Sequence, residues 1–497
     1  MLRPLTTLIF LIAIATSACF EQPSDDEPLP LSTSVPIFKT ATVTSQSDTI
    51  ETRRLTNADI TSMLQEIVCW YDDPKLAADC LPVGKKESRL LSEMAATKDH
   101  RFIAPLVDML SLELGWKPWI QETLAAITGY EFNKSYGWST WISNQPPPLP
   151  DGYIGWKGHL LSIVDERYVH LLNDEMSLDV RPEELVWSRL AIDERVSLTN
   201  PRMVHRQEQR YLSPDDVIFG VFLNGEARAY PQRILAWHEL VYDELEGDPI
   251  FITNCVPCGS TVVYEAIASD NRRYQLGNTG LVYRSRHLFY DTETHSLWDQ
   301  LTGNAITGEA FAKGVSLTPI PVLRTTWEEW ANRHPNTAVL SLETGTYYNY
   351  DSGAAMVEEV ASPDPYFPAP IPLNDSYEIK ERVLGLEIEG STRAYPLSAL
   401  EEARIAHDSL AGQDIVLISQ GPGSGVSVYQ SHDISLSFLQ GPLDSLEAVD
   451  DAGERWFLDE AMLVNVIDGR IRQAIPTKIA YWFAWADAFL ETTIWKE

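Results

Sequence analysis

The heptapeptide Gly-x-x-Arg-Ala-Tyr-Pro occurs twice in this chain of 497 residues, as Gly225–Pro231 and as Gly390–Pro396. The copies run in phase at a spacing of 165 residues. Leu235 falls on Leu400, Asp243 on Asp408, Leu245 on Leu410, Gly247 on Gly412, Ile250 on Ile415, and Val263-Tyr264 on Val428-Tyr429. Further on, Trp327-Glu328-Glu329-Trp330 resembles Trp482-Phe483-Ala484-Trp485 at a slightly shorter spacing. Two related modules follow, at 205–345 and 375–497. Each reads as short strands around a Gly turn, a helix, then more strands. The chain is too long for a single hydrophobic core. The expected fold is α+β, a mixed and mostly antiparallel sheet domain duplicated in tandem and packed as a pseudo-dimer, with an all-helical segment before it.

The copies diverge where chemistry would sit. Cys255 and Cys258 fall on Gln420 and Gly423, and His238 falls on Ala403. Residues kept in both copies read as scaffold. Arg228 and Arg393 are expected to form a buried salt bridge or bind carbonyls, and Asp243 and Asp408 belong with the scaffold. Residues present only in the first copy are the functional candidates.

Cys255-Val256-Pro257-Cys258-Gly259 lies between two apolar runs, Pro249-Ile250-Phe251-Ile252-Thr253 and Thr261-Val262-Val263-Tyr264, which read as strands. A thioredoxin-like pair belongs near a βαβ pattern, where a helix end lowers a thiol pKa. A strand-to-strand turn resembles a thiolate knuckle instead. Thiolates suit zinc or copper, and structural zinc takes four protein ligands, so histidines must complete the set. His238, on a helix just before the hairpin, is the first choice, and the fourth position would come from His287 or His295 or stay open to water. His287 would share a strand face with Tyr283 and Phe289 if that strand is unbroken. A redox couple and a structural disulfide are the other two readings of the pair.

The N-terminus points to export. Arg3 precedes an apolar run from Leu5 to Ala15, too short for an ordinary spanning helix, and Thr16-Ser17-Ala18-Cys19 resembles a bacterial lipobox. Residues 1–18 are expected to be a signal peptide, with lipidation on Cys19 and a tether over 19–50. Phe20, not Asp, follows the cysteine, so no inner-membrane retention signal is visible. The expected location is the cell envelope, at the outer membrane or facing the periplasm, with the bacterial membrane as partner through the lipid. Exported proteins keep disulfides, and Cys69 with Cys80 flank an Asp-Pro turn suited to one. The net charge of −33 is spread along the chain and repels nucleic acid.

Residues 51–143 read as a helical-repeat-like domain, with helices at Ala58–Leu64, Phe102–Leu110 and Trp119–Thr128 and a stop at Gly129. Its surface is a candidate site for an envelope protein partner. Residues 144–204 read as a connector and 346–374 as a linker. Serine-hydrolase, Walker, dinucleotide, His-Glu-x-x-His and c-type haem motifs are absent. Gly421-Pro422-Gly423-Ser424-Gly425 lacks the lysine of a phosphate loop and reads as a turn.

Beyond these patterns, a series of motifs resembles a known family. They run in order through Asp216–Pro231, Ile234–Glu239, Asp243, Cys255–Gly259, Gly280–Tyr283, Tyr290–Thr294, Ser296–Gln300, Thr326–Trp330 and His334-Pro335. Together they resemble the bacterial domain of unknown function 3179, over about residues 200–342. The helical part before them resembles segments that often precede that domain. The resemblance brings no activity with it. Family members commonly carry Tyr-Cys-Pro-Leu-Cys where this chain has Asn254-Cys255-Val256-Pro257-Cys258. Asp291, Trp298 and Gln300 are specific to the resemblance. Asp291 would cap a turn, Trp298 would be core, and Gln300 or Arg284 could orient a ligand.

Three functions remain open at this level. The first is an envelope lipoprotein binding zinc or copper through Cys255, Cys258 and His238. The second is a thiol–disulfide oxidoreductase attacking through Cys255. The third is a non-enzymatic envelope binding or assembly protein with a structural disulfide.

Overall fold

The computed structural model describes residues 55–69, 85–112, 117–132, 135–284, 286–352, 365, 375–419, 421, 423–432, 434–438 and 447–496. Cys19, Cys80 and most of the linker fall outside these residues, as does the side chain of Cys69. The lipid anchor and the Cys69–Cys80 bridge therefore have no structural description.

The first part is helical, as its 3.6-residue apolar spacing predicts. Helices Asn57–Cys69, Lys85–Thr97, Ile103–Ser111, Lys117–Thr128 and Ser135–Asn144 bury one core containing Ile60, Leu64, Leu91, Phe102, Leu124 and Trp138. Gly129 ends the fourth helix at φ +79°, where only glycine sits without strain. Among the described residues no helix is long and apolar enough to cross a membrane.

Residues 144–204 are more than a connector. Tyr153–Leu161 adds a helix to the helical core, and Leu185–Trp187 is a strand paired antiparallel with Leu276–Tyr283. Short segments and turn residues hid these elements, because a three-residue strand has too little alternation to be read.

The two modules repeat one succession of elements. In the first, the hairpin Val217–Leu223/Glu226–Pro231 leads to a helix, Gln232–His238, and a meander, Leu240–Leu245, Asp248–Cys255 and Ser260–Glu265. In the second, Arg382–Ile388/Ser391–Pro396 leads to Leu397–Ala403 and then Ile405–Leu410, Gln413–Ser419 and Val426–Gln430. Each closes with a strand and an aromatic helix, Leu323–Thr326 with Trp327–Arg333 and Lys478–Tyr481 with Trp482–Ala488. A final short strand then runs parallel to the hairpin, Ala338–Leu340 on Glu226–Pro231 and Thr493–Ile494 on Ser391–Pro396. Most other pairings are antiparallel, so the fold is the expected mixed α+β type.

One nine-stranded sheet crosses the module boundary. The meander of the first module meets the closing strand of the second, where Thr261 pairs with Ile479. The related edge, between Leu323–Thr326 and Val426–Gln430, makes no such ladder. The repeated scaffold residues do the same work twice. Asp243 accepts the Tyr230 hydroxyl at 2.7 Å and pairs with Arg228, and Asp408 accepts the Tyr395 hydroxyl at 2.7 Å and pairs with Arg393 at 2.6 Å. Desolvation and the adjacent carboxylate raise the Tyr230 phenol well above its usual range.

Candidate functional site

The cysteine hairpin forms where the sequence places it. Asp248–Cys255 ends on the first thiol position and Ser260–Glu265 starts just past the second, with Gly259 at φ +61° completing the turn. Cys255 and Cys258 are joined as a disulfide. Both are buried, at 2% and 0% exposure, so no approaching thiol reaches them from solvent. The Cys258 amide donates to Cys255 Sγ at 3.3 Å.

The second module forms the lid of this hairpin. Cys255 and Cys258 pack with Tyr481, Phe483 and Ala484 in one small core. The Tyr481 amide donates to the Cys258 carbonyl at 2.9 Å. A Cβ on Gly259 would meet the Tyr481 ring at 2.6 Å, so glycine is required here for space as well as for φ. Arg382 donates to the Gly259 carbonyl and to the Tyr481 hydroxyl, each at 3.2 Å.

The histidines do not join the cysteines. His238 does end the helix before the hairpin, but its Nδ1 donates to the Val196 carbonyl at 2.6 Å. Its Nε2 then accepts from the Tyr350 hydroxyl, also at 2.6 Å. Both ring nitrogens are thus engaged away from sulfur. Burial lowers the His238 pKa and favours this neutral form. Tyr350 lies in what the sequence suggested was linker, and Tyr348 from the same stretch stacks on Trp237. The tyrosine run Tyr347-Tyr348-Asn349-Tyr350 was the available clue to an ordered cover.

His287 does not share a strand with Tyr283. The chain turns at Arg284, so Leu276–Tyr283 and Arg286–Asp291 form a hairpin in which His287 pairs with Val282 and a bulge precedes Phe289. The His287 ring lies 3.4 Å from Glu239, which also meets Arg195 at 3.1 Å. Burial pushes the His287 pKa down, with Glu239 opposing. His295 sits on the exposed Asp291 turn at φ +54°, beside His170. Among the described residues no group of three or more His, Cys, Asp or Glu side chains could hold a metal ion. In this arrangement the donors expected from the sequence are not brought together.

Of the other motif residues, Gln300 holds the hairpin. It joins both strands, accepting from Ser260 at 2.7 Å and donating to Thr253 at 2.9 Å. Asp291 accepts from Thr294 Oγ1 at 2.8 Å, as a turn cap does, and from Trp298 Nε1 at 2.9 Å. Arg284 contacts Glu184 at 2.8 Å and Asp487 at 3.1 Å. Arg286 pairs with Asp299 at 2.6 Å and with Asp487, both carboxylates being nearly inaccessible. Asp487 lies in the aromatic helix of the second module, so this ionic cluster ties the modules together. Nothing in the sequence marked Asp487 as the partner, because the pairing spans about 200 residues and depends on tertiary packing.

No curated protein and no solved structure matches the chain. A family model described as Protein of unknown function (DUF3179) matches residues 195–493, so the match extends well beyond the 200–342 stretch and takes in both modules. The chain belongs to the DUF3179 family.

Proposed function

We propose that this protein is a non-enzymatic binding or assembly lipoprotein of the cell envelope, in which Cys255–Cys258 is a structural disulfide. The observation that carries the proposal is the burial of the bonded pair beneath Tyr481, Phe483 and Ala484 of the second module. An exchange enzyme needs its attacking sulfur at a surface. The arrangement instead suits a staple that fixes the turn on which the second module rests. Lipidation at Cys19 would hold the protein to the bacterial membrane, and the helical domain would offer the surface for an envelope protein partner.

One observation favours exchange chemistry as a second reading. The Cys258 amide aimed at Cys255 Sγ would stabilise a Cys255 thiolate after reduction. The zinc or copper reading requires more. The disulfide must be reduced, and His238 must leave both Val196 and Tyr350.

Thiol counting and elemental analysis on protein purified from its native envelope separate the three. The expected result is no stoichiometric metal and a pair that resists reduction until the protein unfolds. A metal lost in Cys258→Ala and His238→Ala would restore the metal reading. Ready reduction of the folded protein with turnover on a disulfide substrate would establish the oxidoreductase. Palmitate labelling lost in Cys19→Ser is expected of the anchor.

A further inference from the structure

Arg324 is a cation without a counter-ion. It lies on the closing strand of the first module, Leu323–Thr326, at the position that Ile479 holds in the second. Its Nε is buried and has no hydrogen-bond partner among the described residues. The positive charge that bears on it is Arg382, which sits 4.8 Å over the Tyr481 ring. Lys380 lies over the same ring at 5.8 Å. One carboxylate, Glu401, also bears on Arg324, but it forms no ion pair with it and accepts from the Gly423 amide at 3.2 Å. Glu381, between Lys380 and Arg382 in the chain, directs its carboxylate to the Ser398 hydroxyl at 2.9 Å. Arg324 and Arg382 therefore bring two guanidinium groups together at the junction of the modules, in a chain whose net charge is −33.

Burying a guanidinium without a partner is unfavourable, and a like charge beside it adds to the penalty. Desolvation, then Arg382, push the Arg324 pKa down to about 10, which leaves it charged at neutral pH. A protein that only needed to fold would place an apolar residue here, as the second module does with Ile479. An anion supplied from outside would satisfy the unused donors, and arginine's planar fork matches carboxylate and phosphate oxygens.

We propose that Arg324 and Arg382 form a binding site for a small oxyanion bearing carboxylate or phosphate groups, set between the modules beside the Cys255–Cys258 hairpin. The site is independent of the state of the disulfide. Because Arg382 also holds the Gly259 carbonyl and the Tyr481 hydroxyl, a bound anion would brace the contact between the modules.

Calorimetric titration of the full chain with inorganic phosphate and, separately, succinate tests this. Saturable binding is expected for at least one, and the tighter probe identifies the anion class. Arg324→Gln should weaken it by at least about tenfold, the loss of one charged hydrogen-bonding group. Arg382→Lys, which keeps the charge, should weaken it less. In the unaltered protein, the bound probe should protect Arg324 from phenylglyoxal, read by peptide mapping. No saturable binding of either probe, or binding that survives Arg324→Gln and leaves Arg324 unprotected, would overturn the proposal.

Discussion

Trp330 fills the space that a Cβ on Gly220 would need, and the Trp330 indole is pinned there by Thr337, which accepts from its Nε1 at 2.9 Å. The second module builds the same contact. Trp485 covers Gly385, and its Nε1 donates to Thr492 at 2.9 Å. Neither glycine has a positive φ, so the requirement is close approach and not backbone freedom. Each tryptophan is fully buried, and a methyl group would have to displace its ring. Gly220→Ala and Gly385→Ala should each destabilise the protein by about 1–3 kcal/mol, the usual range for overpacking. Urea unfolding measures this, and an unchanged midpoint for either variant would remove the paired-scaffold interpretation.

The repeated Gly-x-x-Arg-Ala-Tyr-Pro pieces were legible as scaffold because local sequence determines them. A Gly turn, an alternating strand and an in-phase Asp are short-range features, and Arg228, Tyr230 and Asp243 meet within one hairpin and its neighbour. The Cys-x-x-Cys turn was legible for the same reason. The partners of the histidines were not. His238 meets Tyr350, which is 112 residues away, in a segment with no period to read. The break before His287 was not legible, because the turn at Arg284 carries no Gly, Pro or Asn to announce it. The burial of the Cys255–Cys258 pair was not legible either, because it depends on how the second module packs and has no local signature.

Stability should fall as pH drops below about 6.5, the value for an unperturbed histidine. Burial lowers both His238 and His287 in the folded state, so the unfolded chain takes up protons first. The contribution of these neutral rings is complete above the unfolded value and is lost as pH falls toward the folded ones. The groups facing them set the balance. Arg195 opposes protonation of both, while Glu239 and the Asn254 backbone favour it at His287, and the Val196 carbonyl favours it at His238. Urea midpoints between pH 8 and pH 5 should decline, and His287→Gln should flatten the curve. A midpoint independent of pH across that range would mean that the rings are not held neutral.

Removing the disulfide should have a modest and specific effect. Cys255 and Cys258 lie three positions apart in the chain, so the bond closes a very short loop. Chain-entropy arguments assign a loop of that size about 2 kcal/mol. The larger consequence is positional, because the turn presents the Cys258 carbonyl to Tyr481 and the sulfurs to Phe483 and Ala484. A Cys255→Ala/Cys258→Ala double variant should lower the urea midpoint by the equivalent of about 2 kcal/mol, with an unchanged denaturant slope if unfolding stays two-state. The unaltered protein should keep its bond in dithiothreitol until denaturant is added, because the second module covers both sulfurs. A double variant as stable as the original, together with reduction of the folded protein at the rate of an exposed disulfide, would show that the pair is not a staple and would favour exchange chemistry at Cys255.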